Sequence, residues 1–67
     1  MKAILRTRNN VITINVTSVS VDIVTKTIQI ETNTPRAAYS CLYNAGFDVD
    51  FQGRILLVRA EAITCSG

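Results

Sequence analysis

Hydrophobic and polar residues alternate along much of the first half of the chain, as in a β-strand with one buried face. Residues 11–32 contain no Gly, Pro or aromatic residue and are mostly Val, Ile or Thr. These residues favour pleated strands because their branched Cβ atoms restrict χ1. The apolar positions change from even to odd numbers between Val16 and Val19. Such a change turns the apolar side chains to the other face, so we predict a bulge or bend at Thr17-Ser18.

The sequence predicts one strand before this segment and another at its end. Residues 2–7 predict a short first strand, and Arg8-Asn9-Asn10 predicts a turn because Asn tolerates positive φ. A second change of phase brings Ile28 and Ile30 onto even positions. We therefore expect a turn at residues 24–26, although neither Gly nor Asn occurs there.

A helix is predicted after Asn33-Thr34-Pro35, because Asn or Thr can cap a first helical turn and Pro suits its first position. It should run from residue 35 to about 45 and end at Gly46, which readily adopts the left-handed conformation. Apolar residues recur at helical spacing and predict a buried stripe of Ala38, Cys41, Leu42 and Ala45.

The chain after the helix returns to β-structure. Residues 47–51 alternate between apolar residues and the carboxylates Asp48 and Asp50, and a turn is expected at Gln52-Gly53. The continuous apolar run 55–58 predicts a central strand buried on both faces, whereas residues 60–67 show no clear element. The sequence thus predicts a single α+β domain over residues 1–67. Its architecture would be a two-layer sandwich in the order βββαββ, with one helix (about 35–45) on a mostly antiparallel sheet of about five strands.

Composition argues against catalysis, cofactor binding and metal binding. The 67 residues include no His, the commonest general acid or base, and the two Cys and five acidic residues lie far apart or alternate on strands. Cys41 falls on the apolar stripe and is expected in the core. Without a secretory pattern or a membrane-length apolar run, we expect free thiols and a cytoplasmic protein that does not enter a membrane.

The aromatic residues indicate a binding surface. Tyr39 and Tyr43 lie one helical turn apart on a flank of the helix, and Arg36 lies on the same side. Tyr and Arg are common anchors in protein interfaces, and they can also stack on bases and pair with phosphate. A third interpretation is that both rings only cover the edge of the helix–sheet layer. We call this set, Arg36, Tyr39 and Tyr43, the tyrosine flank.

The basic residues define an alternative function. The net charge is only +2, but Lys2, Arg6 and Arg8 fall close together near the start of the chain. Dedicated nucleic-acid-binding proteins usually have a denser basic stripe. A nucleic-acid-binding protein would therefore require Lys2, Arg6 and Arg8 to converge with the tyrosine flank on one face.

These features favour a non-enzymatic protein-interaction module, such as a small inhibitor, adaptor or assembly subunit. The order of elements is similar to that of small α+β accessory proteins of bacteria and their mobile elements, an analogy that carries no function by itself. A domain this small often gains stability from a second subunit. We therefore expect a homodimer formed through the β-branched segment, with Val19, Val21 and Ile23 at the interface.

Overall fold

The computed structural model describes residues 1–66. These residues form one helix and seven strands, and every strand pair is antiparallel. In chain order the elements are β1 (Lys2–Arg6), β2 (Val11–Asn15), β3 (Ser18–Asp22), β4 (Thr27–Glu31), α1 (Pro35–Asn44), β5 (Asp48–Gln52), β6 (Ile55–Arg59) and β7 (Ala62–Ser66). Within this described part, no helix is long and apolar enough to cross a membrane.

The strands form two sheets, so the α+β class is confirmed but the simple two-layer arrangement is wrong. Sheet A has three strands in the order β2-β1-β7, and sheet B has four in the order β3-β4-β6-β5. The element order is ββββαβββ instead of βββαββ. Buried residues of both sheets and of the helix belong to one core.

The break between β2 and β3 explains one additional strand. The expected irregularity at Thr17-Ser18 is present, but it is a change of sheet and not a bend within one strand: β2 pairs with β1, whereas β3 pairs with β4. The Thr17 backbone N–H and hydroxyl both donate to the Glu31 carbonyl, at 2.7 and 3.0 Å. These bonds hold the crossing between the sheets against the end of β4.

The other additional strand is β7, in the segment where no element was expected. Its register places Ile63 opposite Leu5 and Cys65 opposite Ala3, so β7 completes sheet A beside β1. Gly67 lies outside the described residues. The segment 62–66 is weakly apolar, and it becomes a strand because β1 presents an unpaired edge to it.

Helix α1 bridges the two sheets, since it contacts β5 and β6 on one side and β2 on the other. Pro35 occupies the start of the helix as predicted, but the side chain of the N-cap residue, Thr34, makes no capping hydrogen bond. At the other end, the N–H groups of Gly46 and Phe47 donate to the carbonyls of Tyr43 and Leu42. This is a Schellman motif, and the φ of +87° at Gly46 confirms the predicted helix end.

The buried stripe of α1 is rotated from the predicted one. Ala38 and Leu42 are buried and Ala45 is half-buried, but Cys41 is exposed, so its assignment to the core was wrong. The predicted stripe is centred near Ala38, whereas the observed burial is centred near Leu42. Because successive residues are about 100° apart, Cys41 lies about 100° from Leu42, whereas Tyr39 lies only about 60° away. The rotation brings Tyr39 onto the sheet and leaves the Cys41 thiol outside.

The β5–β6 hairpin and the β3–β4 turn lie close to their predicted positions. Gln52 pairs with Ile55, so the tight turn is Gly53-Arg54, one residue later than expected, with Gly53 at a φ of +63°. Strand β6 is central in sheet B, as predicted. Only the face that carries Leu56 and Val58 is fully buried, so burial on both faces was wrong.

Gly46 should be the most sensitive of the glycine positions. We expect Gly46→Ala to lower the free energy of unfolding by about 1–2 kcal/mol, because an L-residue is strained at this φ. Urea denaturation followed by circular dichroism measures the change. Ala37→Gly, on the exposed side of the same helix, is a suitable control, since its cost of about 1 kcal/mol comes from helix propensity alone. An unchanged stability for Gly46→Ala would contradict the strain argument.

Candidate functional site

The tyrosine flank contains a preassembled aromatic row. The rings of Tyr39 and Tyr43 stack with centroids 5.9 Å apart and an interplanar angle of 17°. On its other side, Tyr39 contacts the ring of Phe51 on β5 at 5.9 Å and 55°. Tyr39 is half-buried, whereas Tyr43 is 63% exposed. The row thus runs from the core edge at Phe51 to solvent at Tyr43.

The helix surface around this row carries little charge. Arg36, which is exposed, is the only charged residue of α1. Arg36, Tyr39 and Tyr43 lie within about 60° of arc around the helix axis, so the three side chains share one side. The stacking contact joins Tyr39 and Tyr43, and helical spacing puts Arg36 on the same side.

The basic residues proposed for nucleic acid do not join this flank. Lys2 and Arg6 are exposed on the outer face of sheet A, since the alternate residues Ala3 and Leu5 point into the core. Arg8 lies in the β1–β2 turn beside Gly46, which follows the end of α1, whereas Arg36 is in the first turn. The length of the helix, about 15 Å, separates them.

Arg8 instead belongs to a groove that the sequence analysis missed. The groove has a volume of about 660 Å³ and lies where the β1–β2 turn, the β3–β4 turn, the end of α1 and the β6–β7 link meet. Its charged lining residues are Arg8, Lys26, Arg59 and Glu61, and we call it the basic groove. No local motif indicates it, because Arg8 and Lys26 lie in two separate turns and Arg59 ends β6.

The β3–β4 turn, residues 23–26, presents Lys26 to this groove. The Asp22 carboxylate accepts hydrogen bonds from the N–H groups of Val24 (3.0 Å) and Thr25 (3.4 Å). An Asp that bonds the backbone two residues ahead initiates turns, which explains why the predicted turn forms here without Gly or Asn. Lys26 ends the turn with a φ of +57°, the one positive φ outside glycine in the described chain.

The outer faces of the two sheets differ in charge. That of sheet A carries the basic residues Lys2 and Arg6 and no acidic residue among its described positions. That of sheet B carries Asp22, Glu31, Asp48 and Asp50 against a single cation, Arg59. Asp48 and Asp50 are exposed, as an alternating strand requires.

Strand β3 is an open edge of sheet B. Of the residues predicted at an oligomer interface, Val19 packs partly against the core, while Val21 is 54% exposed and Ile23 is 84% exposed. Val24 in the adjoining turn is 92% exposed. The edge and the turn therefore present neighbouring β-branched apolar side chains to solvent.

Both thiols, Cys41 and Cys65, are free and exposed. Within residues 1–66, His, Cys, Asp and Glu side chains form no group of three or more suited to a metal ion. Comparison of the chain with protein-family models, with curated proteins and with solved structures finds no match.

Proposed function

We propose that the chain is a non-enzymatic protein-interaction module that acts by surface contact, as a small inhibitor, adaptor or assembly subunit. The tyrosine flank is its contact surface. The observation that supports this proposal is the stacked pair of Tyr39 and Tyr43, seated on Phe51 and open to solvent at Tyr43. The free thiols of Cys41 and Cys65 suit a reducing compartment, and we place the protein in the cytoplasm.

Stacking prepares the tyrosines for binding before a partner arrives. Binding orders mobile side chains at an interface at a cost of about 0.5–1.5 kcal/mol each. The contacts between Tyr39, Tyr43 and Phe51 already restrict these rings, so less of that cost remains. The sparse charge of α1 also suits the core of a protein interface, where charged residues other than Arg are depleted.

Tyr43→Ala should weaken binding to the partner by at least about tenfold, the loss expected when a central interface tyrosine is truncated. The measurement is affinity capture from native cells with the tagged protein, followed by titration of the partner recovered. Tyr43 is exposed, so the variant should melt within a few degrees of the wild type. Arg36→Ala should also weaken binding, by a smaller factor.

Two exposed residues elsewhere give matched controls. Val11 is 59% exposed on sheet A, and Arg54 lies in the β5–β6 turn, so Val11→Ala removes exposed apolar surface and Arg54→Ala removes the same group as Arg36→Ala, both outside the flank. Neither should change binding. If Tyr43→Ala binds the captured partner as well as these controls do, the tyrosine flank is not the contact surface.

Binding of nucleic acid through Lys2, Arg6, Arg8 and the tyrosine flank is the competing function. The separation of Arg8 from Arg36 along α1 gives it less support than protein binding. A nucleic-acid complex would weaken steeply with salt, because phosphate contacts release counterions. Fluorescence anisotropy with a labelled oligonucleotide, repeated on the Tyr43→Ala protein, distinguishes the two functions.

We also propose that the protein forms a homodimer through β3. Exposed backbone groups on an edge strand favour pairing with another strand, and a two-fold axis would place β3 beside its symmetry copy. The exposed side chains of Val21 and Ile23 would gain burial there. Val19 already contacts its own core and would contribute less.

A further inference from the structure

The basic groove is an open concave surface that the tyrosine flank and the β3 edge do not use. Its volume of about 660 Å³ is in the range of small-ligand sites, which is about 300–1,000 Å³. Arg8, Lys26 and Arg59 face it together with one carboxylate, Glu61. The groove therefore concentrates an excess of positive charge equal to the net charge of the whole chain, +2.

The backbone of Lys26 has a positive φ, a conformation that is unfavourable for a lysine. A residue at a φ of +57° closes the β3–β4 turn, where Gly or Asn would be less strained. A lysine in this conformation costs stability, and conformations of this kind cluster at functional sites. What the lysine adds over glycine at this position is a cationic side chain on a residue that lines the groove.

Other lining residues restrict what the groove can recognise. None of those described is aromatic, so the groove offers no platform for stacking a base. The side-chain amide of Asn10 donates to the Ala45 carbonyl and holds one wall against the end of α1. Arg59 lies directly across from Asp48 in sheet B, which leaves Arg8 and Lys26 as the cations without a paired strand neighbour of opposite charge.

We propose that the basic groove binds a ligand through a cluster of phosphate groups, with Arg8 and Lys26 as the principal contacts and Arg59 as an additional one. Guanidinium and ammonium groups are the usual protein partners of phosphate oxygens. Glu61 opposes the anion and limits its affinity. The phosphates can belong to a small oligophosphate or to a nucleic-acid backbone, and the groove reads the phosphates alone.

The direct test is a titration with sodium tripolyphosphate at low ionic strength, followed by amide chemical shifts in NMR. Saturable shifts should cluster in the turns that line the groove, at residues 7–10 and 25–26 and at Gly46 and Glu61. The absence of saturation through the millimolar range would overturn the proposal. So would shifts that are equally large around Lys2, Arg6 and Arg36.

Charge variants of opposite sign make the test specific. The double variant Arg8→Ala/Lys26→Gly should raise the dissociation constant about tenfold, and Glu61→Gln should lower it several-fold. Glycine at residue 26 relieves the backbone strain, so this loss of binding should come without a lower melting temperature. Arg8→Ala alone should raise the dissociation constant several-fold, and Arg54→Ala, which also removes one cation but in the β5–β6 turn, is its matched control and should leave the dissociation constant unchanged.

Two further ligands identify the source of the phosphates. ATP should bind as tightly as tripolyphosphate, because the adenine ring finds no stacking partner. A single-stranded oligonucleotide that binds more tightly, and loses affinity in Arg8→Ala/Lys26→Gly, would assign the phosphates to a nucleic-acid backbone. If Arg54→Ala weakens binding as much as the groove variants do, the effect is one of net charge and the site does not exist.

Discussion

Replacing Leu42 with alanine is expected to lower the free energy of unfolding by about 2–5 kcal/mol. Leu42 is completely buried, on the helix that contacts both sheets. Truncation of Leu42 leaves a cavity between α1 and the two sheets. The sheets cannot move inward to fill it, because the strand pairing within each sheet fixes its shape. A domain of this length has roughly 3–10 kcal/mol in total, so a substantial fraction of the variant should be unfolded.

Leu57→Ala provides the matched comparison for Leu42→Ala. The same side chain is removed, but Leu57 lies half-buried on the outer face of sheet B. Its loss should cost well under half as much, since less apolar surface returns to water and no enclosed cavity forms. Urea denaturation of both variants measures the difference. Equal losses would contradict the prediction that burial of Leu42 between α1 and the sheets contributes more to stability than an outer-face leucine does.

Val21→Lys is expected to raise the dissociation constant of the proposed homodimer by at least about tenfold. A charged side chain on an edge strand disfavours pairing with a second copy, because pairing would place two lysines near the two-fold axis. The side chain of Val21 is 54% exposed, so the substitution should change the stability of the monomer little. Sedimentation velocity over a range of concentrations measures the equilibrium, and circular dichroism verifies folding.

Val11→Lys is the control for this interface variant. Val11 has a similar exposure, 59%, but lies on β2 in the other sheet. It should leave the dimer intact. A wild-type protein that sediments at 7.3 kDa at every concentration would exclude the homodimer. Equal dissociation by Val11→Lys and Val21→Lys would place the interface elsewhere.

Local signals in the sequence were sufficient for the helix. Pro35 fixes the first φ, Gly46 supplies the left-handed residue, and the spacing between them accommodates three turns of helix. The rotation of that helix about its own axis could not be predicted from the helix sequence alone. Its rotation toward Tyr39 depends on Phe51 in a strand that follows later, and this contact leaves Cys41 exposed.

For the sheets, the alternation of apolar residues predicts strands but not the sheet to which each strand belongs. The alternation of apolar residues correctly indicated that the pattern breaks at Thr17-Ser18, but alternation is the same whether a strand bends or crosses to another sheet. Strand β7 had too few apolar residues to be predicted from its own sequence, and its pairing is decided by β1. β-propensity is a property of one segment, whereas a β-ladder forms only when two segments pair.

The candidate sites divide in the same way. The tyrosine flank lies on one element, so helical periodicity was enough to group its residues. Lys26 and Arg59 join Arg8 only because two turns and the end of β6 meet at one end of the molecule, and no spacing rule relates residues that far apart. Lys26 was correctly predicted in the turn at residues 24–26, but no local feature indicates that this turn meets the β1–β2 turn.

The pairing of β1 with β7 sets the order of events in folding. Lys2 is opposite Ser66, so this ladder joins residues separated by nearly the whole chain, whereas β1–β2, β3–β4 and β5–β6 are local hairpins. Contacts between distant residues form late, because the chain entropy lost on closing a long loop must be overcome first. During synthesis, β1 therefore keeps one open edge until β7 has left the ribosome. Chain shortening before β7 should trap this unpaired intermediate and promote aggregation.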